Sequence, residues 1–368
     1  MQYVCTRLYL CKKYFRIISD RMNQFILRSA VQKLPPAYFA LPMSTGIISI
    51  ASYTLGYDSI SNFLFVVNEI EMAVLSLALV SRLLFFFKDF KGDLSSHAEG
   101  AGFLTFVAAL CIYGTKNMML KNNFTLALTG WCFSFIVWAA LIYSFFILIT
   151  FKKAKPSLEN GINGSWLLFV VTSQALSISG NIVAAHYNFP SQIVLFTTLL
   201  FYLLGVLFYI IIICLIFYRT AFFPMEPGEF RPSYWINMGA AAISTLSGTI
   251  LIKSMNGVAE FQTFIPFTKV FTMLFWIVGT WWIPVILFLE VWKRTEIKVR
   301  YSAGYWSLVF PLGVYTVCTW QLSDILGLTF LKDISKVFIY PAWFAWFFTY
   351  LNMFARIIKQ FRLRGTHR

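Results

Sequence analysis

Three histidines (His97, His186 and His367) and fifteen acidic side chains are the acid–base inventory of a 368-residue chain. Acid–base or metal chemistry needs such groups clustered, and the histidines lie far apart with no partner at ligand spacing. The six cysteines (Cys5, Cys11, Cys111, Cys132, Cys214, Cys318) are equally dispersed. Two fall in a basic leading segment and four in apolar stretches, a pattern that suggests neither a disulfide framework nor a zinc site. No enzyme chemistry, metal or cofactor is expected.

The side chains that recur at a meaningful spacing are uncharged. Ser173, Ser177 and Asn181, and again Asn237, Ser244 and Gly248, fall on one face of a helix. Thr45, Gly46 and Gly313 sit in comparable apolar surroundings. Small polar residues of this kind either bond neighbouring helices together or line a conduit that offers dipoles to a passing ion. Phe310 precedes Pro311, and proline bends a helix. The ring is therefore either core or thrown toward a central axis, and Pro42 is a second candidate kink. A proton-coupled carrier places a carboxylate or histidine on its path. Here Glu69, Glu71, Arg82, Lys269 and Glu290 fall in one class of apolar segment, while Glu99, His186, Lys253 and Asp324 fall at the edges of the other.

Those residues need a scaffold, and composition names its solvent. With 59% hydrophobic and 12% charged residues, the chain cannot cover an apolar core with polar surface, so an all-α integral membrane fold is expected. Ten apolar stretches of spanning length occur at 37–55, 62–87, 100–115, 124–151, 165–185, 190–218, 234–254, 264–292, 302–323 and 336–357. Most of the 30 Lys and Arg fall in alternate loops and both tails. By the positive-inside rule both termini are cytoplasmic, and the +15 net charge reflects topology rather than nucleic-acid binding. Residues 1–36 form a basic segment whose Leu8, Cys11, Phe15, Ile18, Met22 and Phe25 make one helix face apolar, suited to an anionic lipid surface. Residues 37–358 form the transport domain, and residues 359–368 a basic tail.

The stretches alternate in character. Odd ones are rich in Gly, Ala, Ser and Thr, which let backbones approach closely; even ones are longer and dominated by Phe, Leu, Ile and Trp, which suit lipid. Ten helices in five hairpins follow, with an inner ring of five wrapped by an outer ring.

Six ordered blocks then carry a resemblance: LPPAYFALPMSTGIISIA (34–51), GAGFLTFVAALCIYGT (100–115), ENGINGSWLLFVVTSQ (159–174), RPSYWINMGAAAIST (231–245), TWWIP (280–284) and YWSLVFPLGVYT (305–316). The chain resembles the tellurite-resistance and C4-dicarboxylate transporter family, which includes slow-type, voltage-dependent anion channels. The resemblance implies a homotrimer in the cell membrane, each protomer with its own pore closed by a phenylalanine at the position of Phe310. The long phosphorylatable tails of the plant channel are missing, so kinase activation does not carry over. A pore lined by hydroxyls, amides and glycine, without a fixed cation, disfavours a dianion more than a monovalent one, because desolvation cost rises steeply with charge. Passive passage of small monovalent anions is the expected function. A proton-coupled malate transporter or a sulfite or tellurite exporter is the alternative.

Overall fold

The computed structural model describes residues 28–187, 191–298 and 301–365, with side chains of residue 191 and of residues 360–365 excepted. Most of the basic leading segment lies outside the described residues, of which residues 28–32 form a helical turn. Among the described residues the chain is all helix, without a β-strand. Ten long helices alternate with short connections: α1 (Ala40–Thr54), α2 (Asp58–Phe85), α3 (Leu104–Lys121), α4 (Phe124–Phe151), α5 (Leu168–Tyr187), α6 (Ser191–Phe222), α7 (Ile236–Met255), α8 (Ile265–Glu296), α9 (Trp306–Leu326) and α10 (Phe330–Gly365).

Eight of these are long and apolar enough to cross a membrane; α1, with 15 residues, and α9 fall outside that set. The protein is thus a multi-pass membrane protein. Burial divides the helices as residue size predicts. The most apolar windows of α5 and α7 are 89% and 94% buried, against 28% for α4, α8 and α10. Thirteen of the 15 residues of α1 and 15 of the 21 of α9 are buried as well. The even helices present Phe, Leu, Ile and Val outward, among them Phe85, Phe151, Phe222 and Phe288.

Each odd helix packs against the even helix that follows it, and the odd helices also contact one another in the order α1, α3, α5, α7, α9 and back to α1. Local chemistry sets the hairpins. At the C-terminal ends of α1, α7 and α9 the chain turns through Gly56, Gly257 and Gly327 with φ of +81°, +91° and +71°, and α3 ends on Asn122 at φ +53°. A left-handed residue closes the last helical turn and reverses the chain at little cost only when it is Gly or Asn. At the opposite end, basic residues in the last turns of the even helices fold back onto loops. Arg82 reaches the Leu34 carbonyl at 2.7 Å and pairs with Asp93. Arg219 pairs with Glu229 at 3.1 Å, and Lys293 donates to the Phe230 carbonyl at 2.8 Å. These positions also suit the negative end of each helix dipole.

One boundary changes the electrostatics. The apolar stretch 100–115 places Lys116 in a loop, yet α3 runs on to Lys121. Lys116 is fully buried inside it, donating to Asn68 Oδ1 at 2.8 Å and Glu69 Oε1 at 2.9 Å, with the Phe65 ring 3.9 Å away. The partners that let this cation lie inside the helix come from α2.

Candidate functional site

α9 carries a proline in its interior, as α8 and α10 do. Pro311 removes a backbone donor from its second turn, and α7 supplies the space for the ring. A Cβ built on Gly239 would stand 2.8 Å from Pro311 Cγ and 3.6 Å from Phe310 Cδ1. Gly313 does the same toward α1, where a Cβ would come 2.9 Å from Ile47 Cγ2. Ser44 Oγ closes the α1–α9 seam by donating to the Trp306 carbonyl at 2.9 Å. Phe310 is thereby held fully buried at the meeting of α1, α7 and α9.

Phe310 is also the floor of a cavity of about 410 Å³. All its lining residues belong to the five odd helices. On α9 they are Phe310, Val314, Val317 and Gln321, about 17 Å of helix at 1.5 Å per residue. On α1 they are Ile47, Ile50 and Thr54, and on α7 Ile243, Leu246, Ile250, Lys253 and Ser254. Cys111, Ile112, Thr115, Met118 and Met119 of α3 and Ala175, Ile178, Ser179, Asn181, Ile182 and Ala185 of α5 complete the wall. The wall is aliphatic at depth and polar at the rim. There Lys253 is exposed, donating to Gln321 Oε1 at 2.6 Å beside Asp324, which Lys332 also pairs at 2.9 Å. The rim therefore carries two cations around one carboxylate. A fixed cation, absent from the sequence expectation, belongs to this cavity.

Of the twelve residues singled out from sequence, Phe310 and Asn181 stand on the cavity wall. The others face elsewhere. Ser173 and Ser244 donate to carbonyls of their own preceding turn, those of Phe169 and Ala240, each at 2.8 Å. Ser177 donates to the Thr198 carbonyl of α6 at 2.8 Å, and Thr45 donates to Glu71 of α2 at 3.0 Å. Gly46 faces Ile112 and Asn68, and Gly248 faces Thr272 of α8. The Asn237 amide is buried without a partner. The Pro42 carbonyl accepts from Asn68 Nδ2 at 2.7 Å. Small polar residues here bond their own helix or the neighbouring outer one, because in a low-dielectric environment a hydroxyl bonds the nearest carbonyl. The signal that marks the wall is instead one of spacing: Phe310, Val314, Val317 and Gln321 recur at steps of four, three and four.

Among the described residues no group of three or more His, Cys, Asp or Glu could hold a metal. His97 lies in a loop, where burial lowers its pKa from the ordinary value and Lys152 and Lys155 lower it further.

An uncharacterized transporter of Methanocaldococcus jannaschii is 22% identical over 339 residues, covering 90% of this chain and 97% of that protein. A sulfite efflux pump of Trichophyton rubrum is 24% identical over 339 residues, covering 82% of this chain and 87% of the pump. An uncharacterized membrane protein of Mycobacterium tuberculosis is 29% identical over 147 residues, 39% of this chain and 74% of that protein. The voltage-dependent anion channel family, SLAC1, matches residues 33–354. Spanning nearly the whole helical part, that match makes the chain a member of the family, an anion-transporting membrane protein and not an enzyme.

Proposed function

We propose that the protein passes small monovalent anions passively through a path between its five odd helices, with Phe310 as the gate. The observation that carries this reading is the cavity itself: five mutually contacting helices supply its whole wall, and it ends against a buried ring beside a proline. In this reading the ten helices are ten spans in five hairpins, an inner five ringed by an outer five. Residues 37–358 are the transport domain, both termini are cytoplasmic, and the protein sits in the cell membrane as a homotrimer in a lipid shell. The basic residues on the side of the α2, α6 and α8 C-termini support the orientation. Asn181 lines the path. Thr45, Gly46, Ser173, Ser177, Asn237, Ser244, Gly248 and Gly313 act on it indirectly, by setting how closely the helices approach, and Pro42 and Pro311 set the bends.

The aliphatic wall offers an anion little beyond weak dipoles, and Lys253 at the rim raises its local concentration. Such a path binds weakly and releases fast, and it penalises a dianion. Sulfite as the singly charged hydrogensulfite fits the same rule, and likeness to the fungal sulfite efflux pumps favours it as one cargo. The test is flux in proteoliposomes with chloride, nitrate, sulfite and malate in turn, with and without a pH gradient. Monovalent anions should pass at equal pH on both sides. Flux that vanished without the gradient, or ran fastest for malate, would replace the channel with a proton-coupled carrier.

A further inference from the structure

Three charged side chains from three helices meet at the rim of the cavity. Asp324 stands three residues beyond Gln321, the last wall residue of α9, and so one turn further out on the same face. Its carboxylate is shared: Lys332 of α10 approaches Oδ1 at 2.9 Å, and Lys253 of α7 approaches Oδ2 at 3.8 Å. All three side chains are partly exposed. The Lys332 ammonium also lies 4.8 Å from the Trp320 ring. The next cation along α10, Lys336, is cancelled by Asp333 at 2.9 Å. The triad therefore carries one net positive charge. The two amides of the cavity wall differ in what they leave free. Asn181 spends Nδ2 on the Ser177 carbonyl at 2.9 Å, and its Oδ1 accepts from the Thr198 hydroxyl at 3.2 Å. Gln321 accepts from Lys253 Nζ through Oε1 at 2.6 Å. An ammonium only donates, so this bond fixes which atom of the amide faces the lysine and leaves the Nε2 hydrogens without a partner among the described residues.

An anion at this rim meets donors on Lys253 and Gln321, while one carboxylate competes with it for the ammonium groups. We propose that Asp324 sets how the protein discriminates anions by valence: it holds the cluster of Lys253, Lys332 and Gln321 at a single net positive charge, enough to gather a monovalent anion and too little to retain a dianion. This rests on the anion path proposed above. The aliphatic wall penalises an ion that has already left water, whereas the triad acts earlier, on the concentration of ions at the rim. The work of bringing an ion into a potential is proportional to its charge, so each unit of rim charge counts twice for a dianion. A unit charge about 10 Å away in water changes the local concentration of a monovalent anion about twofold and that of a dianion about fourfold. Asp324 lies 14 residues from Phe310, about 21 Å along the helix, so substitution there leaves the packing of the gate in place. Ion pairs this exposed contribute little to stability, and the variants should fold.

The test is chloride efflux from proteoliposomes holding the full-length protein, with sulfate titrated equally on both sides as a competing dianion at constant low ionic strength. The apparent inhibition constant of sulfate should fall about fourfold in Asp324→Asn, whose triad carries two net charges, and rise about fourfold in Lys332→Gln, whose triad carries none. The double variant restores one net charge and should return to the parent's constant. At about 1 M salt, where the Debye length is about 3 Å, the differences should vanish. Single variants that shift in the same direction, or a double variant further from the parent than either, would make the triad a structural clamp and overturn the proposal. An unchanged constant in Asp324→Asn, with chloride efflux intact in the parent, would overturn it and leave the anion path standing. A parent that passed no chloride would refute the path, and this inference with it. If Asp324→Asn does not fold, Lys332→Gln decides alone: weaker inhibition by sulfate supports the proposal and an unchanged constant overturns it.

Discussion

Replacing Phe310 by alanine separates a gate from a core residue. With the ring in place, opening the path requires Phe310, fully buried now, to leave its packing between α1, α7 and α9. Exposing a buried phenylalanine costs about 1.5–3 kcal/mol. At about 1.4 kcal/mol per tenfold, the closed form then outweighs the open one by about ten- to a hundredfold. Phe310→Ala removes that term, and chloride flux per folded molecule should rise by the same factor. If the ring were only core, truncation would cost about 3–5 kcal/mol of stability and leave flux per folded molecule unchanged. The assay is chloride efflux from proteoliposomes, normalised to protein that elutes as the parent does, with unfolding temperature measured in parallel. Phe310→Leu, which keeps half the bulk, should lie between parent and alanine in flux. An alanine variant that purifies normally and passes no more chloride than the parent refutes the gate.

Lys253→Gln should lower chloride flux about twofold at low ionic strength, from one charge acting across the width of the rim, with the difference fading as salt screens it; an equal loss at high salt would make Lys253 structural. Gly239→Ala should cost about 1–3 kcal/mol, read as a lower unfolding temperature, because the added carbon meets Pro311 Cγ at 2.8 Å; an unchanged temperature would mean that α7 and α9 are free to part. Lys116→Met strands Glu69, and breaking a buried pair costs about 3–5 kcal/mol, here toward the lower end because Glu69 remains 33% exposed; added Glu69→Gln should recover part of the loss. For His97 the pKa is lowered by burial and then by Lys152 and Lys155. The folded state therefore binds that proton less readily than the unfolded one. Stability should be full above the ordinary histidine value of about 6.5 and fall as pH drops below it, and in His97→Gln the fall between pH 7.5 and 5.5 should be smaller. Cysteines at Lys152 and Arg294 should resist an impermeant thiol reagent in intact cells, while one at Lys332 should react; the reverse pattern would invert the proposed orientation.

Much of the architecture was legible because it rests on residue size. Gly, Ala, Ser and Thr in alternate stretches foretold which helices the structure buries. The site was less legible because polarity misled. Ser173, Ser177 and Ser244 share helical faces, yet each hydroxyl is satisfied by a carbonyl within its own helix or the neighbouring outer one. The cavity wall is written in Ile, Val and Leu, a stripe that on any one helix is indistinguishable from core. It becomes a site only where five such stripes face each other. Lys116 escaped for a related reason: Asn68 and Glu69, 48 and 47 residues earlier, provide the bonds that let it lie inside a helix.

A repeat invisible as sequence identity is visible as geometry. Every odd helix is preceded by a 3₁₀ turn: Pro36–Phe39 (PAYF), Gly100–Phe103 (GAGF), Gly164–Leu167 (GSWL), Pro232–Trp235 (PSYW) and Ala303–Tyr305 (AGY). The letters share little, but each turn opens on Pro, Gly or Ala and closes on a bulky side chain. The turns also touch one another around the same cycle as the helices they start. Contact between backbones explains the small residues: Gly164 lies against the Ser233 carbonyl, and a Cβ on Gly102 would meet Ala37 N at 3.0 Å. A tight 3₁₀ turn brings five chain entries together where full α-turns with larger side chains would hold them apart. What recurs is therefore a steric requirement, small then large, met by different residues each time.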